Sequence, residues 1–152
     1  MKKINFEITI NAPVEKVWDT MLEDKTYREW TLEFNPSGSW YEGSWDKGSK
    51  IKFVGADPKT GLLGGMTSEI AENRPHEFLS IKHLGLITDG VEIFSGPSVE
   101  QWAPSYENYT FSKIDDNTTR LEVEVDANEE YADMFSKMWP KALDKLKSMC
   151  EK

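Results

Sequence analysis

The chain opens with Ile4, Phe6, Ile8 and Ile10 at every second position, with Asn5, Glu7 and Thr9 between them. Such alternation marks a strand with one face on a core and the other in water, so residues 3–10 are expected to be extended. The far end has a different period. Tyr131, Met134, Phe135, Met138, Trp139, Ala142, Leu143, Leu146 and Met149 recur at three- and four-residue steps after Glu129, which predicts a long helix with one apolar stripe. Pro140 removes one backbone bond inside that helix and predicts a kink. A stripe this broad needs an apolar surface to lie on, and the middle of the chain must supply it.

Two short helices follow the first strand. Asn11, Ala12 and Pro13 form a start signal, Glu15 complements the helix dipole, and Val14, Val17, Trp18 and Met21 share one face. The second helix, Asp24 to Thr31, carries Tyr27 and Trp30 inward before Asn35 and Pro36 stop it. From Ser39 onward short alternating runs are separated by turn residues. Strands are expected over 40–44, 49–54, 62–71, 77–84, 106–113 and 118–126, with turns at Asp46–Gly48, Asp57–Gly61, Asn73–His76 and Asp115–Asn117. Short meander connections imply an antiparallel sheet. Residues 85–104, with Gly85, Gly90, Gly96, Pro97 and Pro104, lack a period and read as a long irregular connection, a candidate lid. The class is α+β, in one domain over residues 1–152: a curved antiparallel sheet wrapped around a long C-terminal helix.

Charge narrows the partners. With 18 basic and 27 acidic residues the net charge is −9, and the lysines are scattered, so nucleic acid and anionic membrane surfaces are disfavoured. The single cysteine, Cys150, has no internal partner, and no apolar leader precedes the first strand, so a cytoplasmic location is expected. His76 and His83 fall on opposite alternation faces, and no cysteine or carboxylate cluster has ligand spacing, so neither a metal nor a cofactor is expected. Cys150 lies on the apolar side of the last helix and reads as core filler.

Alternation also locates candidate chemistry. In the run containing Leu79 and Ile81 the next inward position is His83, and in the run containing Tyr109 and Phe111 the preceding inward position is Glu107. Antiparallel pairing brings these two polar residues to one end of the sheet. An imidazole beside a carboxylate in an apolar cleft serves as an acid–base pair, as an anchor for the polar end of a ligand, or as a satisfied core pair, and the pattern leaves the three open. Phe53, Met66, Ile81, Trp102, Tyr109, Phe111, Phe135 and Met138 are the apolar candidates for a pocket wall around them. Trp102 stands out because it lies on the irregular stretch.

Six stretches carry a family resemblance. They are Asn11-Ala12-Pro13-Val14-Glu15-Lys16-Val17-Trp18; Trp30 after the second helix; Gly48-Ser49-Lys50-Ile51; Ser68-Glu69-Ile70-Ala71-Glu72 followed by Pro75; Glu107-Asn108-Tyr109-Thr110-Phe111; and Trp139-Pro140-Lys141-Ala142-Leu143 followed by Leu146. Together they resemble the START-like superfamily, also called SRPBCC or birch-pollen-allergen-like, in the branch named for activators of the heat-shock protein 90 ATPase. The resemblance implies the helix-grip fold and a hydrophobic cavity between sheet and terminal helix. It transfers no catalytic residue, because the branch has no invariant catalytic motif. The leading expectation is a binding protein for a small hydrophobic molecule. A cyclase-like or hydrolytic enzyme using His83 and Glu107 is the alternative, and a chaperone-interaction module is the third. The cochaperones of this branch carry a further N-terminal domain, whereas the first strand here starts at the second or third residue.

Overall fold

Alternation at the N-terminus and helical periodicity at the C-terminus meet face to face in the computed structural model, which describes residues 1–152. Strand β1 (Lys2–Ile10) is followed by helices α1 (Val14–Leu22) and α2 (Asp24–Trp30) and a 3-10 turn at Thr31–Glu33. Strands β2 (Ser39–Gly43), β3 (Lys50–Ala56), β4 (Leu63–Arg74), β5 (Phe78–Thr88) and β6 (Val91–Ile93) precede one helical turn, α3 (Pro97–Glu100). Strands β7 (Ser105–Asp115) and β8 (Thr118–Ala127) then lead into α4 (Glu129–Cys150). The strands form one antiparallel sheet in the order β1-β8-β7-β5-β4-β3-β2, with β6 added to β5.

Local chemistry makes these connections. The β3–β4 hairpin closes because Asp57 Oδ1 accepts from the backbone N–H groups of Lys59 and Thr60 at 2.8 and 3.0 Å. The α2 helix is tied to α1 by the Trp30 indole, which donates to the Met21 carbonyl at 3.0 Å. Asn128 caps α4 by accepting from the Tyr131 N–H at 3.2 Å, and the helix runs unbroken to Cys150 with Pro140 inside it. Ile10, Val17, Ile51, Ile70, Leu79, Leu121, Val123, Ala142 and Leu146 are almost wholly excluded from solvent and mark the core between sheet and helices.

Two expectations need correction. Residues 85–104 are not an irregular loop: β5 continues to Thr88, turns through Asp89 and Gly90, and returns as β6. Both turn residues have positive φ, 51° and 80°, the primed turn that an Asp-Gly pair favours in a two-residue hairpin. Gly85 does not end the strand. It lets Phe94 lie against the backbone, where a Cβ would come within 2.8 Å of the ring. The second correction concerns α4, whose apolar stripe is buried only toward its C-terminus. Tyr131 and Met134 are 45% and 44% exposed, and in the first two turns of the helix only Ala132 is buried.

Candidate functional site

The space that the first half of α4 does not fill is a cavity of about 590 Å³. Its floor is β3, β4, β5 and β7, its sides are α2, the 3-10 turn and Trp45, and Phe135 and Trp139 of α4 lie over it. The β3–β4 hairpin, the β5–β6 turn and Trp102 complete the wall. Leu62, Leu63 and Asp89 are exposed as well as lining, so the mouth opens where these turns meet. Of 34 lining residues 20 are hydrophobic, which makes the few polar groups on the floor the specific feature.

Those polar groups form one chain of hydrogen bonds. Register pairs Ser68 of β4 with His83 of β5, and Ile81 of β5 with Glu107 of β7. The Ser68 hydroxyl lies 2.7 Å from His83 Nδ1, His83 Nε2 lies 3.2 Å from Glu107 Oε1, and the Tyr109 hydroxyl donates to Glu107 Oε2. Ser68 has no other acceptor for its proton, so the arrangement that satisfies every donor has the hydroxyl donating to an unprotonated Nδ1. The single imidazole proton then sits on Nε2 and points at Glu107. Both nitrogens of His83 are thereby engaged inside the protein. Glu107 accepts two bonds and retains lone pairs toward the cavity it lines.

Packing fixes the imidazole as firmly as its bonds do. Trp102 stacks on it at 5.7 Å with an 18° interplanar angle, and Phe53 meets it edge-on at 6.0 Å. Two phenols stand in the same wall. Burial, followed by the charge of Glu107, pushes the Tyr109 and Tyr27 hydroxyls well above the ordinary tyrosine range, so both are neutral donors. Asp126, which also lines the cavity, is compensated: Lys3 Nζ lies 2.9 Å away and the Tyr106 N–H donates to it at 3.0 Å.

Eight of the residues singled out in the sequence line this cavity: Phe53, Met66, Ile81, His83, Trp102, Glu107, Tyr109 and Phe135. Phe111 does not. It sits two positions further along β7, beneath α1, with its ring 5.0 Å from Trp18 in the filled core. Met138 does not either, because the helix brings the adjacent Trp139 over the cavity in its place. Ser68 and Trp45 belong to the wall or its support and are not among the sequence candidates. Ser68 was legible, since it shares the alternation face of Met66 and Ile70. Trp45 lies between elements with no period, and its indole bond to the Leu22 carbonyl, 3.1 Å, together with ring contacts to Tyr27, Tyr41 and Phe53, positions it. No three His, Cys, Asp or Glu side chains converge as metal ligands, and burial raises the Cys150 thiol within the packed core. No helix is long and apolar enough to cross a membrane.

Comparison with known proteins adds the family. A family model described as activator of Hsp90 ATPase homolog 1-like protein matches residues 11–151. No curated protein matches the chain. Among solved structures, protein MLL2253 from Mesorhizobium loti superposes with a TM-score of 0.70 at 16% identity, covering 97% of this chain and 95% of that one. The Aha1 dimer from Colwellia psychrerythraea gives 0.68 at 21% identity, covering 99% and 97%. CalU16 from Micromonospora echinospora gives 0.66 at 18%, covering 97% and 73%. At these identities the likeness is one of fold, the helix-grip arrangement.

Proposed function

The chain belongs to the activator of Hsp90 ATPase homolog 1-like family, and from that premise and its cavity we propose that it binds a small, mostly apolar molecule by one polar end. One observation carries the reading: a 590 Å³ apolar chamber whose floor bears a single connected polar group, Ser68–His83–Glu107–Tyr109. A volume of this size is typical of small-molecule sites, and few placed polar groups orient a ligand without paying for many desolvated ones. The ligand's polar end is a hydrogen-bond donor, because the group facing it is a carboxylate with free lone pairs. Burial of Ser68 supports binding over turnover, since the hydroxyl bonded to His83 does not line the chamber and a ligand there does not reach it as a nucleophile. The reading places the protein in the cytoplasm, where the lone thiol of Cys150 stays reduced.

The experiment is a titration with 1-dodecanol followed by tryptophan emission, since Trp30, Trp45, Trp102 and Trp139 line the chamber. A saturable shift is expected in the wild type. Met66→Phe, which puts a rigid ring on the floor at a half-buried lining position, is expected to weaken binding while leaving thermal stability nearly unchanged. In a filled core the same enlargement costs about 1–3 kcal/mol. Absence of saturation, together with destabilisation by the phenylalanine, would overturn the reading.

A further inference from the structure

The walls of the chamber carry a one-sided charge. None of the 34 lining residues is lysine or arginine, whereas Asp57, Asp89, Glu107 and Asp126 are all acidic. Asp126 is paired with Lys3, and Asp57 and Asp89 lie at the exposed rim. Glu107 is different. It sits on the floor, its side chain is 18% exposed, and its sole partner at ion-pair distance is His83. The Ser68 hydroxyl donates to the other imidazole nitrogen, so the ring brings a hydrogen bond without a compensating charge. A carboxylate in an apolar chamber with donors but no counter-cation retains much of its desolvation cost, and a cation delivered by the ligand relieves it.

The surroundings suit such a ligand. Nine lining residues are phenylalanine, tyrosine or tryptophan. Around the carboxylate stand Tyr109, which bonds it, Tyr27, whose hydroxyl feels its charge, and the Phe53–His83–Trp102 stack. Aromatic faces present negative potential to a cation, and the attraction grows when water is excluded. The rim aspartates extend the same sign outward and raise the local concentration of a cationic ligand at the mouth.

From these features we infer that the ligand is a hydrophobic amine or related organic cation, its charged nitrogen held at Glu107 and its apolar body in the aromatic chamber. The inference rests on the binding reading above and names its ligand class.

Calorimetric titration with three probes of one chain length tests it: dodecylammonium, 1-dodecanol and dodecanoate, each below its micelle concentration. The ammonium is expected to bind at least about tenfold more tightly than the alcohol, equivalent to about 1.4 kcal/mol, and the carboxylate most weakly. Glu107→Gln keeps the shape and one acceptor oxygen but removes the charge, so the ammonium is expected to lose far more affinity than the alcohol and the ammonium-to-alcohol ratio to fall to about one. Because the whole chain is acidic, the wild-type series is repeated at high salt. A surface preference fades there, and a preference at a water-excluded carboxylate persists. Dodecanoate binding as tightly as the ammonium, a ratio unchanged in Glu107→Gln, or a preference abolished by salt would each overturn the inference while leaving the binding reading intact. Failure of all three probes to bind would remove both.

Discussion

The layer between sheet and α4 is packed solid at one end and hollow at the other. At the packed end, α1 and the second half of α4 bring Val17, Trp18, Ala142, Leu143 and Leu146 down onto Ile10, Phe111, Leu121 and Val123. At the hollow end, the first half of α4 stands over Phe53, Ile81 and His83 and offers them only Phe135 and Trp139. The size of the residues under the helix explains the difference. Ala142 lets α4 approach closely, whereas Trp139 is wedged against Phe34 at 4.9 Å and Trp30 at 6.3 Å, an aromatic prop carried by α2 and the turn after it. The hollow end therefore keeps its shape by ring contacts and hydrogen bonds, and the packed end by volume.

The largest effect that sharpens this contrast is expected from Leu146→Ala. Leu146 is wholly buried, and truncation in a close-packed core costs about 2–5 kcal/mol, read from the denaturant midpoint. A loss below 1 kcal/mol would mean that the packed end is not packed. Next comes Ser68→Ala, which leaves a buried imidazole nitrogen without its donor. About 1–3 kcal/mol is expected, with a change in the His83 ring resonances by NMR, and unmoved resonances would show that packing alone holds the ring.

A third effect distinguishes the ends by pH. Tyr27 and Tyr109 are buried in the hollow wall and titrate above the ordinary value of 10.0. Below that pH both states hold the proton and stability is unaffected. Above it the unfolded chain loses protons that the folded chain retains, so stability falls as pH rises, by about 1.4 kcal/mol per unit for each phenol. Tyr109→Phe is expected to lower this alkaline slope in denaturation series from pH 9 to 11, and an unchanged slope would mean that Tyr109 ionises freely. The smallest effect is expected from Phe135→Ala. Its ring covers empty space, so the cost is below about 1 kcal/mol, far under the usual range for a buried aromatic. A cost matching that of Leu146→Ala would erase the distinction between the ends.

Much of the site was readable before any coordinates. A period of two places His83 after Leu79 and Ile81, and Glu107 before Tyr109, and antiparallel pairing brings them within bonding distance. The Asp89-Gly90 hairpin was also present as a dipeptide signal, but the glycines around it read as a break in the rhythm. Phe111 and Met138 show where a period stops being informative: it reports which residues face inward and says nothing of whether a helix has descended upon them. Trp45 gave no signal because its position depends on a bond to a carbonyl 23 residues away and on rings carried by other elements.

Sequence alone determined the kinds of element, their order, the inward face of each strand and the pairing of an imidazole with a carboxylate, because each follows from local geometry repeated along the chain. The tertiary structure decided which inward residues the helices cover with side chains, and hence which became core and which became wall. That coverage depends on where the bulk of Trp30, Phe34, Trp139 and Ala142 falls, and these residues come from separate elements and meet only after folding.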